Sequence, residues 1–327
     1  MAHETMKNPY LTFVVAGRND NYGEEFLERF QIFLNNQFFL WEKCGLRAEL
    51  IIVEWNPPAD RPRLKDALQW PAKLKGGTVR IVEVPKKFHD RLPHPPKQEF
   101  FEYYAKNVGT RRAQGQFVVC TNNDLLYSEA LIRFFASESL KKDLFYRVHR
   151  YDIPKGILPF DADSEEQLQF CASHVKYIHN NYGPAFVTGE KPWGFRSLKR
   201  VLIYTKNRLR YFPYPPPYMN AAGDFFLMHK EWWDYFGGYP EVNHNAYPDV
   251  LCFMSLAAGL RQATLEPPML IYHQDHERGG PESGRPKSDF EKNKAVYMQM
   301  LKDKKPWLPN GKNWGLGDET LPETQVL

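Results

Sequence analysis

The sequence predicts an α/β fold built on a parallel sheet, and three observations carry that prediction. Short apolar, β-branched runs at 11–16, 50–53, 79–84 and 117–120 alternate with polar loops and helical patterns. A strand–helix–strand alternation of this kind implies right-handed parallel crossovers. The run Phe117–Cys120 is wholly apolar, as a strand buried on both faces is. It stops abruptly at Thr121-Asn122-Asn123-Asp124, and open α/β sheets place ligands beyond the carboxyl ends of their strands.

Leu11–Ala16 reads as the first strand. The loop Gly17–Gly23 follows, and then an amphipathic helix over Glu24–Leu40 with Phe26, Leu27, Phe30, Phe33 and Leu34 inward. The loop is neither Gly-x-Gly-x-x-Gly nor a Gly-Lys-Ser/Thr loop, which argues against dinucleotide binding and P-loop chemistry. Leu50–Val53 is the second strand and ends in Glu54-Trp55-Asn56-Pro57-Pro58. Val79–Val84 is the third. Residues 85–97, rich in Pro, Lys and His, read as a surface loop.

Residues 98–114 read as a helix with Phe101, Tyr104, Ala105 and Val108 at helical spacing, closed by Gly115 as a residue tolerant of positive φ. After Asp124, a short helix spans 128–136. Phe145–Tyr151 alternates like a strand whose Arg147, His149 and Arg150 form its wet side or touch phosphate or acceptor. Residues 152–200 read as an insertion with a helix near 164–181. Residues 211–218 favour polyproline II. Phe225–Met228 is a strand, followed by a helical turn or two over Lys230–Phe236 capped by Gly237-Gly238. Pro248 suits a helix start, with Asp249 in its first turn, Leu251, Met254 and Leu256 inward and a stop at Gly259. Leu265–Tyr272 is the last strand, leading into His273-Gln274-Asp275-His276.

Four segments carry a resemblance: Asn107-x-Gly109, Ala113-x-Gly115, the apolar strand with Asn122-Asn123-Asp124, and the Gly223–Gly259 stretch with its Gly-Gly-Tyr. Together they resemble nucleotide-sugar glycosyltransferases of the GT-A fold, closest to family 2. The resemblance spans about residues 10–276. It implies a Rossmann-like, mostly parallel sheet flanked by helices, with a mixed acceptor-side half. It divides the chain into a nucleotide-sugar-binding half (1–124), an acceptor-binding and catalytic half (125–276) and a tail or lid (277–327) that Trp307 and Trp314 pack down.

The resemblance also implies roles. Asp124 holds Mn²⁺ or Mg²⁺, with His273 or His276 as further ligands, since a carboxylate and neutral imidazoles both bind such ions. Ala16, Arg18, Asp20, Glu54, Arg111, Asn122 and Asn123 bind the nucleotide part of a UDP- or GDP-sugar, and Trp55 stacks on its base. Gly223 and Asp224 face the donor sugar or acceptor. Asp249 is the catalytic base that takes the proton of an acceptor hydroxyl, in an inverting displacement. Two family acids are replaced here, the first of the tripeptide by Asn122 and the one before Asp249 by Pro248. Three alternatives therefore stay open: a retaining glycosyltransferase of the same fold, a nucleotidyltransferase, and an inactive protein that binds sugar nucleotides or glycans. Taken singly, each polar residue named also suits an ordinary loop, turn or helix cap.

Composition narrows the classes. With 327 residues and 43% hydrophobic content, the chain is long enough for a sizeable core. The net charge of +4 and pI near 8.7, with no long basic run, fit a small anionic ligand and do not call for nucleic acid. Four cysteines without paired spacing read as free buried thiols of a reducing compartment. No signal peptide and no run near the ~20 apolar residues of a membrane span is visible, so the expectation is a cytoplasmic protein.

Overall fold

The computed structural model describes residues 8–93, 97–156, 158–159, 161–180, 183–186, 217–241, 248–277 and 290–327, with positions 202, 205, 206 and 209 besides. Most of the expected polyproline stretch, 211–216, lies outside the described residues.

One sheet organises the chain. Its parallel centre is β1 (Leu11–Gly17), β2 (Ala48–Trp55), β3 (Gly77–Val84) and β4 (Phe117–Thr121), in the order β3-β2-β1-β4. β1, β2 and β4 are buried at every position, as strands covered on both faces must be. Helix α1 (Phe26–Cys44) covers one face with Phe30, Phe33, Leu34 and Trp41, all essentially inaccessible, and stops at Gly45 in the left-handed region. Burying each of those phenylalanines contributes about 1.5–3 kcal/mol. Two single-turn helices follow β2 and β3, α2 (Leu64–Ala67) and α3 (Lys86–His89). Helix α4 (Glu102–Arg112) covers the other face.

Gly109 and Gly115 work by close approach. A Cβ on Gly109 would lie 2.6 Å from Val14 Cγ1, so α4 can sit directly on β1. Helix α4 does not end on Gly115. It ends at Ala113 with ordinary extended φ and ψ. Gly115 is needed because a Cβ there would lie 2.6 Å from the Thr12 amide nitrogen.

The second half is mixed. A short strand β5 (Leu125–Tyr127) and helix α5 (Glu129–Ala136) follow the Asp124 loop, and then β6 (Leu144–Ile153). The expected 164–181 helix is α6 (Ser164–Ser173), after which the chain turns into the antiparallel hairpin β7 (Tyr177–Asn180) and β8 (Gly183–Phe186). Strand β9 (Phe225–His229) runs antiparallel between β4 and β6, and helix α7 (Lys230–Phe236) follows it. Helix α8 (Val250–Ala257) leads into the long strand β10 (Arg261–Gln274), parallel to β6 and paired with β5. The order across the sheet is thus β3-β2-β1-β4-β9-β6-β10.

The expectation for β6 needs correction. Arg147, His149 and Arg150 are not the wet side of β6, for all three are buried. The Arg147 guanidinium donates to the Asn220 and Ala222 carbonyls and so clamps the 219–224 loop. The described part of the tail packs on the domain. Helix α9 (Phe290–Asp303) packs on α8, and Trp314 packs against Gly237 and Gly238. Strand β11 (Glu323–Gln325) then pairs with β3 at the far edge of the sheet. Trp314 is buried, whereas Trp307 is exposed. Among the described residues no helix is long and apolar enough to cross a membrane, and the cysteines are free.

Candidate active site

The carboxyl end of β4 delivers Asp124 to a buried position where the end of β10 delivers His273 and His276. Asp124 Oδ2 lies 3.1 Å from His276 Nε2 and 3.6 Å from His273 Nε2. One ligand atom from each of the three lies within 4.8 Å of the others, a spacing compatible with one metal ion. The backbone sets this meeting, since the Gln274 amide donates to the Asp124 carbonyl at 3.0 Å. Asp124 Oδ1 is buried and has no hydrogen-bond partner among the described residues. A buried carboxylate oxygen without a partner is costly in a folded protein, and an ion is one way to satisfy it.

The electrostatics are those of a strongly coupled cluster. Burial opposes charge on Asp124, but His273 and His276 outweigh it and hold the carboxyl well below its usual range. Burial alone would lower His273, yet Asp124 and Asp152 push it up to about 9. Arg29, buried on α1, comes within 3.7 Å of Asp124, while its own donors go to the carbonyls of Tyr22 and Glu24. Arg29 is a lone cation on a buried helix face that also carries Asn36 and Gln37, so the sequence pattern does not single it out.

Beside this cluster runs a polar chain. Lys106 of α4 is fully buried and donates to Glu102 Oε1 (2.7 Å), Asn122 Oδ1 (2.6 Å) and the Gly223 carbonyl (2.8 Å). The Asn122 amide in turn donates to Asp224 Oδ1 at 2.9 Å. Asn122 therefore bridges a cation and an anion, which an amide does and a carboxylate does not. Arg150 ion-pairs with Asp224 and with Asp152, the latter at 2.9 Å. Burial opposes charge on Asp224, but Arg150 and His273 hold its carboxyl below the ordinary value.

Around the end of β1, the Asn123 amide donates to the Ala16 carbonyl at 3.1 Å. Arg18 donates to the Asn56 carbonyl and to Asp20, both at 2.8 Å, and Asp20 accepts the Tyr22 amide. These residues line the loops beyond the strand ends. Pro248 is the neighbour of Gly223, whose Cβ position would lie 3.6 Å from Pro248 Cγ. Asp249 caps α8 without a side-chain cap bond. It is half-buried, and burial raises its carboxyl above the ordinary value.

Three residues expected to meet the nucleotide have partners within the chain. Arg111 donates to the Lys312 and Trp314 carbonyls, which fixes it to the C-terminal segment. Glu54 is buried and accepts the Leu64 amide at 3.0 Å, so it props the 56–64 loop, and burial pushes its carboxyl up to about 7. Trp55 is buried against His89, Phe101 and Tyr104, where no base can stack. Asn107 is structural as well. Its side chain bonds the Tyr239 backbone and Glu241, tying α4 to the Gly-Gly-Tyr turn.

A parallel half that ends at the Asp124 loop is joined through antiparallel β9 to a second half, the mostly parallel sheet flanked by helices that the GT-A resemblance implies. No protein-family model and no curated protein matches the sequence. Among solved structures, the chain is similar to Staphylococcus aureus TarS 1–349 in complex with UDP-GlcNAc. Identity is 12% over 90% of this chain and 66% of that one, with a TM-score of 0.43, so this chain spans just under two thirds of that length. It is also similar to the catalytic domain of Drosophila β1,4-galactosyltransferase 7 in complex with xylobiose. Identity there is 12% over 92% of this chain and 84% of that one, with a TM-score of 0.39.

Proposed function

We propose that this chain transfers a sugar from a nucleotide-sugar donor, UDP- or GDP-linked, to a hydroxyl of a glycan acceptor. One observation carries the reading: Asp124, His273 and His276 converge on one buried point at the carboxyl end of β4. The partnerless Asp124 Oδ1 fits an ion there. One carboxylate oxygen with two imidazoles suits Mn²⁺ better than Mg²⁺, which prefers oxygen ligands. Asp124, His273 and His276 would hold that ion, which when bound supplies charge stabilisation to a diphosphate leaving group.

The chain's own residues do the rest. Ala16, Arg18, Asp20 and Asn123 line the nucleoside side, and Gly223 and Asp224 face the donor sugar. Asp249 accepts the acceptor proton. Burial in its half-buried setting raises its carboxyl above the ordinary value, the direction a general base needs. The acceptor oxygen bonds to the anomeric carbon as the bond from that carbon to the diphosphate oxygen breaks, which inverts the centre.

Donor turnover tests the reading. With UDP- and GDP-sugars, hydrolysis or transfer is expected with Mn²⁺ and is expected to be lost in Asp124→Ala. No turnover of any donor, with donor binding retained, would favour a binding protein. Turnover that survives in Asp249→Asn would favour the retaining mechanism.

A further inference from the structure

His273 has two ring nitrogens, and the proposed ion needs one of them as a lone pair. Its Nε2 faces Asp124 and its Nδ1 faces Asp152 Oδ1 at 3.4 Å. His273 Nδ1 and Asp152 Oδ1 are both buried, and neither has a hydrogen-bond partner among the described residues, so each is left for the other. Asp152 sits on β6, and β10 carries His273 directly opposite it in the parallel register. The register itself therefore sets the contact. Asp152 is anchored in turn by Arg150 at 2.9 Å and lies 3.3 Å from His179 Nε2.

We propose that Asp152 is a positioning residue that keeps the His273 proton on Nδ1 and its Nε2 lone pair aimed at a divalent cation. The inference rests on the metal reading above. A carboxylate behind a ligating imidazole fixes its tautomer and ring orientation and raises its basicity, and losing such a partner typically costs about 10–100-fold in metal affinity. Arg150 joins Asp152 to Asp224, so the same anchor also meets the 219–224 loop.

The test is Mn²⁺ affinity, read by electron paramagnetic resonance on the full chain. Asp152→Asn is expected to weaken Mn²⁺ binding about 10–100-fold. His179→Gln, which removes the other imidazole beside Asp152, is expected to leave it within about twofold. Equal weakening in both variants would overturn the proposal, because the damage would then be to the network at large. Unchanged affinity in Asp152→Asn would also overturn it. A wild-type chain that binds no Mn²⁺ would instead overturn the metal reading beneath it. Should Asp152→Asn not fold, ¹⁵N-resolved imidazole spectra of the wild-type chain loaded with Cd²⁺ decide the question. A proton on His273 Nδ1 with the metal on Nε2 supports the proposal, and the reverse tautomer refutes it.

Discussion

Restoring the missing acid at position 122 should harm this protein. Asn122→Asp replaces a donated hydrogen bond to Asp224 Oδ1, 2.9 Å long, with two facing carboxylates. Losing a donor to a charged acceptor costs about 1.5–3 kcal/mol. The Lys106 ammonium at 2.6 Å attracts the added charge and offsets much of the Coulomb repulsion. What remains is the lost donor and the removal of a further charge from water, and about 2 kcal/mol is a fair net for a half-buried position. For a chain of 327 residues that lowers Tm by about 3 °C. The sign with pH is also fixed. Burial and Asp224 raise the introduced carboxyl, so the folded state binds a proton that the unfolded state releases. The deficit is then small near pH 4, where the protonated acid donates as the amide did, and grows as pH rises toward 8. Urea melts of both proteins at pH 5 and pH 8 measure it, with Mn²⁺ titrations alongside. An Asn122→Asp protein as stable as wild type at pH 8, binding Mn²⁺ more tightly, would refute the reasoning. Position 122 would then be a vacated ligand rather than a bridge.

Other outcomes follow from single contacts. Asp249→Asn should lower kcat about 10²–10⁴-fold while leaving Mn²⁺ affinity within twofold, as loss of a general base does; steady-state kinetics and metal titration check it. Glu54 is raised by burial from its ordinary 4.5 to about 7, so its contribution is fully present below pH 4.5 and lost as pH rises through 7. That is a ceiling of about 3 kcal/mol, and Glu54→Gln should flatten this part of the stability profile in urea melts between pH 4.5 and 8. Trp314→Ala removes a buried ring against Gly237, Gly238 and the Arg111 guanidinium, at a cost of about 3–5 kcal/mol. Calorimetry should show the lower Tm, with Mn²⁺ affinity unchanged because the ring lies on the α4 side.

β1, β2 and β4 are legible because burial on both faces leaves apolar runs, whereas β3 carries the half-buried Arg80 and Glu83. Asp124, His273 and His276 stand out in the sequence because polarity changes abruptly at strand ends, and the fold brings the three together. What the sequence hid was long-range satisfaction of polar groups. Arg147 and Arg150 look like a solvated strand face until the 219–224 loop and Asp152 are seen to take up their donors. Arg111 looks like a phosphate ligand until carbonyls about two hundred residues later in the chain bind it. Glu54 and Trp55 sit at a strand end, yet the 56–64 loop and α3 close over them. Gly115 closes no helix through a positive φ; its φ is ordinary and its missing Cβ admits Thr12.

The most direct measurement is anomalous diffraction from crystals of the full chain soaked with Mn²⁺ and a nucleotide sugar. The account predicts one strong anomalous peak among Asp124, His273 and His276, with the donor diphosphate against it. No peak at that point, or a diphosphate bound elsewhere in the fold, would contradict it.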